Sequence, residues 1–205
     1  MGKDENDGLN DELKPWSVAM NKRGIFGRRT QQDKPIVDAS TATDWATAVK
    51  SVFGLRVTNI NSCETDPPDC YANFEGRRIS IELAELVDGN RLKESVAAID
   101  AGKEPPHNQG QAFLDTQWSK DRFFKQLSAL IDKKNTKYER DKLVFDVLIV
   151  HTDEPWLSAR QVEYWLAETN IEPRGSFKNA YFLITYDPGY ADHWPVFHLF
   201  GSNAL

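Results

Sequence analysis

A glutamate in the middle of an apolar strand constrains this chain more than any other feature of its sequence. Residues 66–86 read Asp-Pro-Pro-Asp-Cys-Tyr-Ala-Asn-Phe-Glu-Gly-Arg-Arg-Ile-Ser-Ile-Glu-Leu-Ala-Glu-Leu. The pattern predicts a short strand over Cys70 to Phe74, a tight turn at Glu75-Gly76 and a longer return strand over Arg77 to Leu86. Side chains alternate along a strand, so Ile79, Ile81 and Leu83 share one face and Ser80, Glu82 and Ala84 the other. With the isoleucine face on the core, Glu82 points into whatever lies opposite. A carboxylate there is costly unless something pairs with it. Asp69 opens the preceding strand, and the interval to Glu82 accommodates a strand, a turn and the return, so the two acids can sit side by side. Their mutual repulsion raises a pKa unless a cation is present. Oxygen-only donors suit magnesium or manganese rather than zinc.

The surrounding pattern implies alternating elements. Ser40 or Thr43 can cap a helix carrying Trp45, Val49, Val52 and Phe53, which Gly54 ends. Leu55 to Ile60 alternates as a strand. A long helix is expected from about Thr116 to Tyr138, with Phe123, Phe124, Leu127, Leu130 and Ile131 at helical spacing. Val144 to Val150 reads as a strand buried on both faces. Ser158 caps a further helix with Val162, Trp165 and Leu166, and Tyr181 to Tyr186 and Val196 to Phe200 read as strands. Hairpin-linked strands followed by helical crossovers imply a central mixed sheet flanked by helices. Residues 1–40 read as a polar, partly disordered arm, and 41–205 as a single α/β domain with an insertion at 87–116.

Composition narrows the class. The 205 residues carry a net charge of -6, which argues against a broad basic surface that coats nucleic acid. Two cysteines, Cys63 and Cys70, read as reduced thiols. The acidic, polar start is no signal peptide, and no apolar run reaches membrane-spanning length, so a cytoplasmic protein with no membrane partner is expected. His151, before Thr152-Asp153-Glu154, reads as a strand-end residue in a polar loop. Glycine-rich phosphate loops, metalloprotease helices and nucleophile elbows are absent from the sequence.

Pro68-Asp69, then Glu82 within its apolar strand, in the order helix, three strands, helix, strand, resembles the PD-(D/E)XK nuclease superfamily over about residues 43–152. The resemblance implies the three-layer restriction-endonuclease-like fold, an αβββαβ core to which this chain adds a C-terminal αββ unit. It also implies a metal-dependent nuclease hydrolysing phosphodiester bonds, with Asp69 and Glu82 binding Mg2+ or Mn2+, nucleic acid (DNA first) as partner, and a homodimer as one working form. The superfamily places a lysine two positions after the Glu, where this chain has Ala84. Some members supply the cation from the following helix instead. Lys125, Lys133, Lys134 and Lys137 lie there, and Lys134 continues the row Leu127, Leu130, Ile131, with Tyr138 one turn on. Lys134 is therefore the first candidate and Lys137 the second. The alternative is a catalytically inactive nuclease fold acting as a nucleic-acid- or protein-interaction module. A third reading has Asp69 capping a turn and Glu82 paired with Arg77 or Arg78 across the hairpin.

Overall fold

Alternating strands that cover both faces with apolar side chains need a helix on each side. The computed structural model describes residues 33–87, 97, 101–102, 118–154, 157–185, 187 and 193–202. The arm up to residue 32 and most of the expected insertion at 87–116 lie outside the described residues. The described elements run α1 (Lys34–Phe53), β1 (Val57–Ser62), β2 (Cys70–Phe74), β3 (Arg77–Glu85), α2 (Lys120–Arg140), β4 (Phe145–Thr152), α3 (Ala159–Ala167), β5 (Phe177–Ile184) and β6 (Val196–Phe200).

Helix α1 begins at Lys34, earlier than Ser40 or Thr43, and so takes in residues that the sequence assigned to the arm. The physical reason is Pro35 in the first turn, where a missing N–H costs nothing. Thr41 and Thr43 turn their hydroxyls back to the carbonyls of Val37 and Ala39 instead of capping. Gly54 ends the helix in a left-handed conformation at φ 72°. Helix α2 starts at Ser119, whose hydroxyl accepts the Arg122 N–H, and α3 carries a complete capping box between Ser158 and Gln161.

The six strands form one open sheet in sequence order. β1, β2 and β3 are antiparallel, β3, β4 and β5 are parallel, and β6 returns antiparallel to β5. The β2–β3 turn places both Glu75 (φ 50°) and Gly76 (φ 78°) in the left-handed region, matching the twist of a two-residue hairpin. Each parallel step crosses over through a helix, α2 between β3 and β4 and α3 between β4 and β5. β4 is buried along its whole length, as its continuous apolar run requires.

The core divides across the sheet. Trp45, Ala46 and Val49 of α1 pack on Ile81, Leu83, Val147 and Ile149. Phe123, Leu127 and Ile131 of α2, with Val162 and Trp165 of α3, pack on Ala84, Leu148 and Val150. Ring contacts such as Phe123 to Phe182 at 5.3 Å and Trp45 to Tyr181 at 5.5 Å tie helices to the sheet on both sides. The molecule is thus an α/β fold with a six-stranded mixed sheet between helical layers. Among the described residues no helix is long and apolar enough to cross a membrane.

Candidate functional site

The hairpin register decides where the two acids lie. Cys70 pairs with Ile81, so one place further on Asp69 comes beside Glu82. The Asp69 Oδ2 atom accepts the Leu83 N–H at 2.8 Å, which fixes that carboxylate against β3. Both acids are buried, Glu82 at 1% exposure, and both border a cavity of 310 Å³. Lys34 of α1 and Lys134 and Lys137 of α2 border it too, with Asp38, Asp66, Glu85 and His151. With every carboxylate ionised and His151 neutral, five acids face three ammonium groups there, a net of two negative charges.

Lys134 is the lysine that reaches Glu82, its Nζ 2.5 Å from Oε1. The Tyr138 hydroxyl donates to the same oxygen. Lys137 stops one residue short: its Nζ donates to the Tyr138 hydroxyl at 3.1 Å and lies 4.6 Å from that ring. Lys125 and Lys133 are on the exposed side of α2. Glu82 Oε1 therefore accepts two bonds, while the buried Oε2 has no hydrogen-bond partner. Burial raises the Glu82 pKa, the Lys134 charge opposes that, and the Asp69 charge adds to it. Tyr138 is raised as well, first by burial and then by its bond to Glu82.

Sequence reasoning missed Lys34. Its ammonium contacts Asp69 Oδ1 and reaches Asp38 at 2.9 Å and Asp66 at 3.5 Å. Burial works against that charge, but the hydrogen bonds to Asp69 and Asp38 outweigh it and raise the Lys34 pKa. A lysine just before a helix-starting proline, with an aspartate four residues on, was the available signal. Glu85 shares the strand face opposite Glu82, yet at the end of β3 it too borders the cavity. His151 does lie at the end of a strand, β4, but not in a solvated loop: it borders the cavity, and Thr152, Asp153 and Glu154 after it are buried. Glu64 is exposed in its loop.

The reading of Glu82 as a partner of the hairpin arginines is overturned. Arg77 bonds Asp146 at 2.8 Å, and Arg78 stacks 3.6 Å from the centre of the Tyr71 ring. Asp146 also takes Lys178 at 2.9 Å and the Ser80 N–H at 2.9 Å. Burial alone would raise its pKa, but the Ser80 N–H, Lys178 and Arg77 together hold it at about 2. Cys63 and Cys70 are free thiols.

Among the described residues no group of three or more His, Cys, Asp or Glu side chains is placed to hold a metal ion. The donor set is a pair of carboxylates with one unpartnered, buried oxygen, Glu82 Oε2. That fits a hard cation that keeps several waters, as magnesium does. Compared with known families, with characterised proteins and with solved structures, the chain matches none.

Proposed function

We propose that the protein is a divergent PD-(D/E)XK nuclease, hydrolysing phosphodiester bonds of nucleic acid, DNA first, with magnesium or manganese. The observation that carries the reading is the Glu82 carboxylate: buried beside Asp69, held on one oxygen by Lys134, with the other oxygen unpartnered. The element order supports it, since helix, three strands, helix and strand around a mixed sheet is the order that the resemblance implies. Lys134 supplies from α2 the cation that Ala84 cannot supply from β3.

In this reading Asp69 and Glu82 hold the metal, which when bound stabilises charge developing on the phosphate. Lys134 opposes the rise that burial gives the Glu82 pKa, holds the carboxyl in place and lends positive charge beside the attacked phosphate. Tyr138 fixes the rotation of the Glu82 carboxyl so that Oε2 stays free. The test is cleavage of supercoiled plasmid and of single-stranded DNA and RNA with magnesium, manganese or chelator. Wild type is expected to cut only with metal, and Glu82→Ala not at all. Equal, metal-independent background from both refutes the catalytic reading.

One observation favours a second reading, an inactive nuclease fold that serves as an interaction module. Lys34 stands against Asp69 as Lys134 stands against Glu82, so each acid has a counter-charge without a metal. Calorimetric titration with Mn2+ separates the two: no heat of binding, with full stability of Asp69→Ala, supports the module.

A further inference from the structure

Lys34 stands outside the motif that led to the site, on a helix from the other side of the sheet, and yet it touches the first of the two acids. Asp69 has both oxygens engaged, Oδ2 with the Leu83 N–H and Oδ1 with Lys34. Such a buried carboxylate needs a counter-charge. A divalent cation seated on Asp69 Oδ1 would be that counter-charge, and it cannot share the oxygen with an ammonium group, because like charges at contact distance repel strongly. Lys34 would not be left without a counter-charge, because it already pairs with Asp38 at 2.9 Å and reaches Asp66 at 3.5 Å. Asp38 lies one helical turn on, and Asp66 is more than half exposed in the loop before Pro67. The Lys34 side chain is itself 41% exposed, so giving up Asp69 needs only rotation of its flexible stem.

We propose that Lys34 is a positioning residue of the metal site, the resident counter-ion of Asp69 that a divalent cation displaces from that oxygen, leaving Lys34 with the Asp38 and Asp66 it already contacts. The inference rests on the metal-dependent reading above. In the metal-free protein Lys34 pairs with Asp69 on Oδ1, while the Leu83 N–H fixes the other oxygen against β3. When the cation arrives, Lys34 is its competitor, so the ammonium sets the concentration at which the site fills. Lys134 plays no such part, because it holds Glu82 on Oε1 and leaves Oε2 free.

The experiment is calorimetric titration of the full chain with Mn2+ alone, comparing wild type, Lys34→Met and Lys34→Gln, alongside thermal melting with and without Mn2+. Both variants are expected to bind Mn2+ about tenfold or more tightly than wild type, in line with ordinary coupling between competing ligands. Both should also melt lower than wild type without metal, and gain more from Mn2+ than wild type gains. Gln keeps a neutral donor near Asp69, so it serves should the Met variant fail to fold. Equal or weaker binding by the variants, with wild type binding, overturns the role of Lys34 and leaves the metal reading standing. Absence of Mn2+ binding by all three overturns both.

Discussion

Removing Lys134 should cost more stability than removing Lys134 and Glu82 together. Glu82 is 1% exposed and its ion pair with Lys134 spans 2.5 Å. Breaking a buried pair by deleting one partner costs about 3–5 kcal/mol, because the other charge is left in a poor solvent. The Lys134 side chain is 24% exposed and the Tyr138 hydroxyl would remain on Oε1, so Lys134→Met belongs at the low end, about 3 kcal/mol. For a chain of this size that corresponds to a fall in Tm of roughly 6–12 °C. Replacing both partners by apolar groups is about neutral or stabilising in comparable cases, so Glu82→Met with Lys134→Met should return to within about 1 kcal/mol of wild type. The coupling between the two sites is then about 2 kcal/mol or more. Urea denaturation at neutral pH with unchanged slope reads all of these values. A single variant losing under about 1 kcal/mol would mark an ordinary surface pair. A double variant as unstable as the single would show that the cost lies in packing and not in the stranded carboxylate.

Two further outcomes are expected. Asp146 has its carboxyl held at about 2, below its ordinary 3.8, so its contribution is full above the unfolded value and disappears as pH falls through the folded one. Wild type should therefore exceed Asp146→Asn by about 2 kcal/mol at neutral pH, with the gap closing between about pH 4 and pH 2 in urea titrations. Gly201 has φ 104°, and a Cβ there would lie 2.3 Å from the Lys178 carbonyl oxygen and 2.8 Å from the Asn179 Cα. Gly201→Ala should cost about 2–3 kcal/mol by thermal melting, since backbone atoms that cannot step aside block the space beside the Asn179 side chain.

The parts of the fold visible in the sequence were those set by period and by local chemistry. The unbroken apolar run of β4 announced a strand covered on both faces, and Ser158 announced the start of α3. The Glu75-Gly76 turn fixed the hairpin register, and that register alone brought Asp69 to Glu82. What stayed hidden depends on contacts between distant segments. Lys34 meets Asp69 across 35 positions, and no periodicity reports such a meeting. The motif places its cation downstream of Glu82, whereas Lys34 lies upstream on α1. Asp146 shows the opposite weakness: it too is a carboxylate in an apolar strand, by the same rule that singled out Glu82. Its partners Arg77, Lys178 and Ser80 satisfy it fully, whereas Glu82 keeps a bare oxygen. The unpartnered oxygen of Glu82 is what separates it from Asp146, and no sequence pattern reports it.

The split core has a mechanical consequence. Lys34 is carried by the helix that packs with Ile81 and Leu83, and Lys134 by the helix that packs with Ala84 and Leu148. The cavity is bounded by both, so its width is a gauge of how far each layer stands from the sheet. Trp45 and Phe123, fully buried beneath the two helices, act as the shims that set that spacing. Trimming either one would alter the grip on Asp69 or on Glu82 separately, without a change at the acids themselves.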